Sequence, residues 1–230
     1  MLSMNGDLLV IIGCSVVKGW MPTYVRQLSD AGIAVHIEML TDETVKYGGS
    51  SEFVFKDKRR LAERFANYKK LIFSDGWDVL FFGTREEVIR KIPNDYVLLA
   101  AERNCWPKYI ELDDKIEGPT AWRYANGGLL AGTPENIIVW LDALMRHSRF
   151  NGEHVDQYLY NLLLYDRSEL LHIDDHTELF YCALKEQEEL QFENELPVNT
   201  ACATHPQFIH ANGCFDMGVI LKRMSNPVCA

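Results

Sequence analysis

Apolar residues run without a break from Leu8 to Ile12 inside the segment Asp7–Ser15. Such a run predicts a buried strand, and the Gly-containing loop behind it is how a nucleotide-binding α/β unit begins. Gly13, Cys14 and Ser15 then stand at the strand's C-terminal edge as candidate ligand contacts. Helical spacing follows over Pro22–Ala31 and a second strand over Ile33–Leu40, after which Leu61, Phe65 and Tyr68 mark the inner face of a further helix. A third strand over Lys70–Ser74, a helix over Thr84–Ile92 and a fourth strand over Tyr96–Ala101 complete an alternation of parallel strands and crossover helices.

The second half opens with a long loop, Glu102–Trp122, that contains Cys-Trp-Pro and is expected to shape an acceptor pocket. Tyr124–Gly132 reads as a strand carrying Gly127-Gly128, where close backbone approach is expected. Pro134–His147 predicts a helix with Ile138, Leu141 and Met145 on one stripe, and Glu153–Leu164 a second one covering the sheet. Lys185–Glu195, with its five glutamates, reads as a solvated acidic helix or loop. The pattern as a whole predicts one α/β domain over residues 1–230, with a Rossmann-like, mostly parallel sheet flanked by helices. Residues 1–100 form its nucleotide-binding half and 101–230 its acceptor-side half.

Composition adds limits. A hydrophobic share of 47% with 24% charged residues is that of a folded globular protein, and the net charge of −10 disfavours free nucleic acid as a partner. The Leu8–Gly13 run is too short for a signal-peptide core and no stretch is long enough to span a membrane, so a cytoplasmic location is expected. The six cysteines lack CxxC spacing, which argues for reduced structural thiols over a zinc or redox motif.

Candidate chemistry concentrates in Lys70–Asp78, where an apolar strand ends at Asp75 and Asp78, with Gly76 permitting a sharp turn between them. Two carboxylates beyond a sheet edge suit Mn²⁺ or Mg²⁺, which bridges carboxylates to a diphosphate and neutralises charge on a leaving group. Equally, Asp75 caps a turn and Asp78 the next helix in a purely structural reading. Trp77 offers a face for a nucleotide base or a surface for packing beneath the loop. His210, ending the short apolar segment before Asn212 and Gly213, is a candidate third ligand, and Asp156 at a helix start is positioned to act on an acceptor hydroxyl or to complement the helix dipole.

Taken in order, Leu8–Ile12, Phe73–Val79, Ala101–Pro107, Tyr124–Gly128, Asp156-Gln157 and His210–Gly213 resemble the glycosyltransferase domain of procollagen lysyl hydroxylases and the related procollagen galactosyltransferases. The resemblance implies a GT-A fold and transfer of a hexose from a UDP-sugar to a hydroxyl acceptor on a protein, glycan or modified base. It further implies Mn²⁺ held by Asp75, Asp78 and His210, and uracil stacked on Trp77. Glu102 and Trp106 become pocket residues near the chemistry, and Asn126, Gly127 and Gly128 the wall beside the donor sugar. Asp156 matches the last acid of a catalytic acidic run, Asn212 and Gly213 belong to the histidine motif, and Lys58 is a donor contact with Lys56 as its alternative.

Two departures stand out. The acidic run is reduced to Asp156 preceded by Glu153 and His154, and the lysine expected six residues after the histidine is replaced by Asp216, with Lys222 the nearest lysine. With neither a hydroxylase domain nor a secretory signal, a stand-alone bacterial, phage or viral enzyme is expected. The alternatives are a nucleotidyltransferase or sugar-nucleotide hydrolase, which uses the same metal carboxylates but usually a Gly-rich basic N-terminal loop, and a catalytically idle binding domain.

Overall fold

The computed structural model describes residues 6–40, 51–108, 112, 115–183, 188–212 and 216–225. Eleven strands and six helices are named below. Strand β1 (Leu8–Cys14) leads through α1 (Met21–Asp30) to β2 (Ala34–Met39), and α2 (Ser51–Arg64) leads to β3 (Lys70–Asp75). A short β4 (Val79–Phe81) is followed by α3 (Arg85–Lys91), β5 (Leu98–Glu102) and β6 (Tyr124–Gly132). Then come α4 (Pro134–Arg146), α5 (Asp156–Tyr165), β7 (His172–Ile173), β8 (Phe180–Cys182), β9 (Leu190–Glu193), β10 (Leu196–Asn199), β11 (Phe208–His210) and α6 (Met217–Ser225).

The central sheet has the order β2-β1-β3-β6-β5-β7. Strand β1 pairs in parallel with β2 and β3, and β6 runs antiparallel to both its neighbours, β3 and β5. Strand β6 comes from the second half of the chain and interleaves the two halves, while β1, β2, β3 and β5 all run in one direction, as read from the first hundred residues. Because β1 and β3 are covered on both faces, by α1 and a second sheet on one and by helices on the other, they appear as apolar runs rather than alternations.

On one face Val10, Ile12, Ile72 and Leu129 pack with Tyr24 and Leu28 of α1 and with Phe81, Phe180 and Phe208 of a second sheet ordered β4-β11-β8. On the other face Leu9, Ile11, Leu71, Phe73 and Leu130 pack against Phe55 and Leu61 of α2, Trp140 and Leu144 of α4, and Tyr160 and Leu163 of α5. Each such fully buried large side chain contributes roughly 1.5–3 kcal/mol through burial.

Several boundaries differ from the sequence reading. Helix α2 stops at Arg64, so Phe65 and Tyr68 pack from the turn after it rather than from its inner face. The buried stripe of α4 is Ile137, Trp140, Leu141 and Leu144; Ile138 and Met145 flank it. Helix α5 begins at Asp156, three residues later than Glu153. The acidic stretch is a hairpin, β9–β10, turning at Asn194 and Glu195 with φ of 50° and 67°. Residues 184–187 of that stretch lie outside the described residues. No helix among the described residues is long and apolar enough to cross a membrane, and Cys14, Cys105, Cys182 and Cys202 are free thiols.

Candidate active site

Strand β3 ends at Asp75 and the turn 75–78 carries the chain out of the central sheet into β4 of the small one. A side chain at Gly76 would meet Ile12 Cγ2 at 2.9 Å, so the turn needs glycine there. Asp78 precedes a strand, not a helix, and the next helix is capped by Thr84, whose Oγ1 accepts the Glu87 N–H. The helix-cap reading of Asp78 is therefore excluded.

Across the small sheet His210 pairs with Val79, and this register brings its imidazole to the two acids. Its Nε2 lies 3.5 Å from Asp75 Oδ2 and 3.5 Å from Asp78 Oδ1. One ligand atom from each of Asp75, Asp78 and His210 falls within 4.8 Å of the others. Two carboxylate oxygens suit Mg²⁺ or Mn²⁺, and the imidazole nitrogen favours the softer Mn²⁺. The donor set thus fits the cation expected from the sequence. Gly128 makes room for it: a side chain there would stand 2.6 Å from Asp75 Oδ2 and 2.9 Å from His210 Nδ1.

The other imidazole nitrogen is held from behind. Asn126 Oδ1 accepts the Gly128 N–H at 3.0 Å and lies 3.2 Å from His210 Nδ1, while Asn126 Nδ2 donates to Glu102 Oε1 at 3.4 Å. Glu102, at the end of β5 and 2% exposed, also accepts from Gln157 Nε2 and, at 2.7 Å, from Asn212 Nδ2. Burial pushes its carboxyl up to about 7 against the pull of these amides. Burial also opposes charge on His210, but the Asp78 carboxylate and the Cys182 thiol outweigh it and hold its pKa well above the ordinary value. Asp75 is raised to about 6: although over half its side chain is reachable by solvent, the cleft walls desolvate the carboxylate, His210 counters, and Asp78 adds repulsion.

Beside the triad lies a cavity of about 300 Å³ lined by Gly13, Glu38, Lys58, Asp75, Trp106, Gly127, Gly128, Asp156 and Gln157, with Ile11 and Phe73 in its floor. Asp156, the first residue of α5, approaches Lys58 Nζ and the Tyr160 hydroxyl, each at 3.4 Å from its Oδ2. Lys56 instead pairs with Glu52 on the exposed side of α2. Trp106 is 41% exposed at the cavity rim, and its carbonyl accepts from Asn161 Nδ2 at 3.2 Å.

Other candidates lie elsewhere. The Cys14 thiol is buried in the core, 3.9 Å from Met39 Sδ, and neither it nor Ser15 lines the cavity. Trp77 also lies outside the lining: its Nε1 donates to the Val16 carbonyl at 2.7 Å, and Lys18 Nζ sits 3.8 Å over its ring. A base stacking on Trp77 has to displace Lys18. Asn212 is buried behind the site, while Gly213 lies outside the described residues. Asp216, found where the resemblance calls for lysine, accepts the Gly218 N–H at 2.8 Å at the start of α6.

Gln157 and Asn161 were missed as site residues. Gln157 accepts the Gly127 N–H and Asn161 the Ala125 N–H, so both clamp β6 to α5. Their spacing of four, on a helix whose other buried residues are apolar apart from Tyr160, was the available signal.

The family profile of the PLOD GT domain matches residues 39–228. The multifunctional procollagen lysine hydroxylase and glycosyltransferase LH3 of Pongo abelii and that of Homo sapiens are each 28% identical over 180 residues, covering 74% of this chain. The chain spans only 24% of the length of either relative. A crystal structure of a glycosyltransferase involved in the glycosylation of the major capsid of PBCV-1 superposes with a TM-score of 0.50 at 11% identity, over 95% of this chain and 98% of that one, a likeness of fold. With the sequence match spanning most of the chain, this protein belongs to the PLOD GT domain family and has the fold of a GT-A glycosyltransferase.

Proposed function

We propose that the protein transfers a hexose from a UDP-sugar to a hydroxyl-bearing acceptor with the help of a divalent cation, Mn²⁺ or Mg²⁺. The observation that carries this reading is the convergence of Asp75, Asp78 and His210 beside a cavity walled by glycines. A bound ion would neutralise charge building on the departing diphosphate. Asp75 and Asp78 supply oxygens to hold it, and His210 presents Nε2 because its Nδ1 is committed to Asn126. Gly127 and Gly128 leave the donor sugar access to the β6 backbone, and Trp106 closes the rim from the other side.

Asp156 is the group placed to orient an acceptor hydroxyl and take its proton, with Lys58 balancing its charge. Membership of a glycosyltransferase family leaves the nucleotidyltransferase and hydrolase readings without support of their own. A protein, glycan or modified-base acceptor remains compatible with the open rim.

UDP with Mn²⁺ is expected to raise the melting temperature of the protein, and Asp75→Ala or Asp78→Ala to remove the shift. Hydrolysis of a UDP-sugar panel with Mn²⁺ identifies the hexose. Absence of any shift with UDP and each divalent metal sinks the proposal.

A further inference from the structure

Glu38 is a cavity-lining carboxylate for which neither the motifs nor the metal triad has a use. It stands near the C-terminal end of β2, and the strand register places it in one row with two site residues: Glu38 pairs with Gly13, and Gly13 with Asp75. Residues in register across a parallel sheet point to the same face, and two strand spacings put the Glu38 and Asp75 backbones about 10 Å apart. All three line the same cavity, together with Ile11 and Phe73, which precede Gly13 and Asp75 by two residues on that face. Gly13 has no side chain, so the row reads carboxylate, gap, carboxylate. Leu40 borders the gap: a Cβ at Gly13 would meet its side chain at an ordinary contact distance of 3.5 Å, and both residues line the cavity.

The Glu38 carboxylate is fixed in place. Arg60 Nη2 donates to Oε1 at 2.5 Å and His36 Nε2 lies 2.9 Å from Oε2, while the side chain is only 19% exposed. A carboxylate has about four lone-pair sites, so beside these two partners among the described residues each oxygen has one further acceptor position. That pair of positions matches the two adjacent hydroxyls of a ribose. An acid near the end of the second strand of an open α/β sheet serves this purpose in dinucleotide-binding folds.

We infer that Glu38 binds the ribose hydroxyls of the donor nucleotide, which lies across Gly13 with its phosphates at Asp75, and so makes the protein selective for ribonucleotides. This rests on the reading of the cleft as a UDP-sugar site. A diphosphate held at Asp75 puts its ribose one to two strands away along the row, over the gap, and the base beyond it. Glu38 is a specificity residue here and takes no part in bond breaking.

Calorimetric binding of UDP, 2′-deoxy-UDP, 3′-deoxy-UDP and CDP in the presence of Mn²⁺ tests this on the wild type, Glu38→Gln and Glu38→Ala. The wild type is expected to bind UDP about tenfold or more tightly than either deoxy analogue, since a hydroxyl bound by a charged acceptor is lost. Glu38→Ala should bind UDP and the deoxy analogues alike, and Glu38→Gln should retain part of the preference. Equal wild-type affinity for UDP and both deoxy analogues overturns the inference, as does a ribose preference that survives in Glu38→Ala. If Glu38→Ala instead erases a preference for UDP over CDP, the carboxylate reads the base and the inference fails. Should Glu38→Ala not fold, the wild-type discrimination and the Glu38→Gln result decide. Failure of UDP to bind the wild type removes this inference together with the proposed function; UDP binding without ribose discrimination removes this inference alone.

Discussion

His210 Nδ1 and Asn126 Oδ1 lie 3.2 Å apart, and that contact fixes which imidazole nitrogen faces the acids. Asn126 Oδ1 already accepts the Gly128 N–H, so the amide cannot turn over, and His210 must donate from Nδ1. In the metal-free protein the raised pKa keeps Nε2 protonated toward Asp75 and Asp78, and in the neutral imidazole that a cation would bind it is the Nε2 lone pair that faces them. Asn126→Leu removes this support without touching a ligand. It is expected to weaken Mn²⁺ binding about 10–100-fold, measured by titration with UDP present; unchanged affinity would show that the imidazole needs no such partner.

Gly128→Ala tests the room around the triad. The added carbon would lie 2.6 Å from Asp75 Oδ2 and against the His210 ring, closer than such atoms approach, while the adjoining residues Leu129–Gly132 are paired with β3. The variant is expected to fold, with a melting temperature near that of the wild type, and to lose the Mn²⁺-dependent response to UDP. Full retention of that response would mean that Asp75 and His210 can move apart freely.

Asp156→Asn separates the two sides of the cleft. Asp156 reaches Lys58 but is not part of the metal cluster. Binding of UDP and Mn²⁺ should persist while transfer to acceptor falls on the order of 10²–10⁴-fold. A parallel loss of donor binding would assign Asp156 to the donor instead.

Glu102 predicts a pH dependence of stability. Its pKa is pushed up to about 7 in the fold by burial, above the ordinary glutamate value near which the unfolded chain releases the proton. Between those values the folded protein binds a proton that the unfolded chain does not. The contribution is therefore fully present below the unfolded pKa and is lost as pH rises through about 7, a change on the order of 2–3 kcal/mol. Urea unfolding at pH 4.5 and 7.5 should show that decline in the wild type and a flatter profile in Glu102→Gln. Identical pH profiles for the two proteins would contradict it.

Much of the fold is legible in the sequence where burial alone decides the residue type. Strands β1 and β3 announce themselves as apolar runs because both faces are covered, and β6 appears with its limits at Tyr124 and Gly132. What escapes depends on pairing between distant segments. Strands β4, β8 and β11 are three residues each, too short for any period, and exist because they pair with one another. The antiparallel insertion of β6 is likewise a property of register, which no local pattern carries.

The site divides in the same way. Asp75, Asp78 and His210 could be singled out because the turn motif and the histidine motif lie in a specific order along the chain, and the structure brings them together. Cys14, adjacent to Gly13, could not be told from a ligand contact until its thiol was seen to face Met39. Glu38 has no motif of its own; it enters the cleft only through its register with Gly13. Gln157 was visible in sequence as the neighbour of Asp156, but its link to Glu102 required β5 and α5 to be side by side.

The route of the chain through the turn 75–78 has a mechanical corollary. Asp75 ends a strand of the large sheet, whereas Asp78 immediately precedes β4 and His210 ends β11 at the centre of the small one, so an ion gripping all three would stitch two separately hydrogen-bonded layers along one seam. Filling the site is expected to stiffen that seam and stripping it with a chelator to let the layers breathe, so amide exchange in β4 and β11 would gauge occupancy without any sugar.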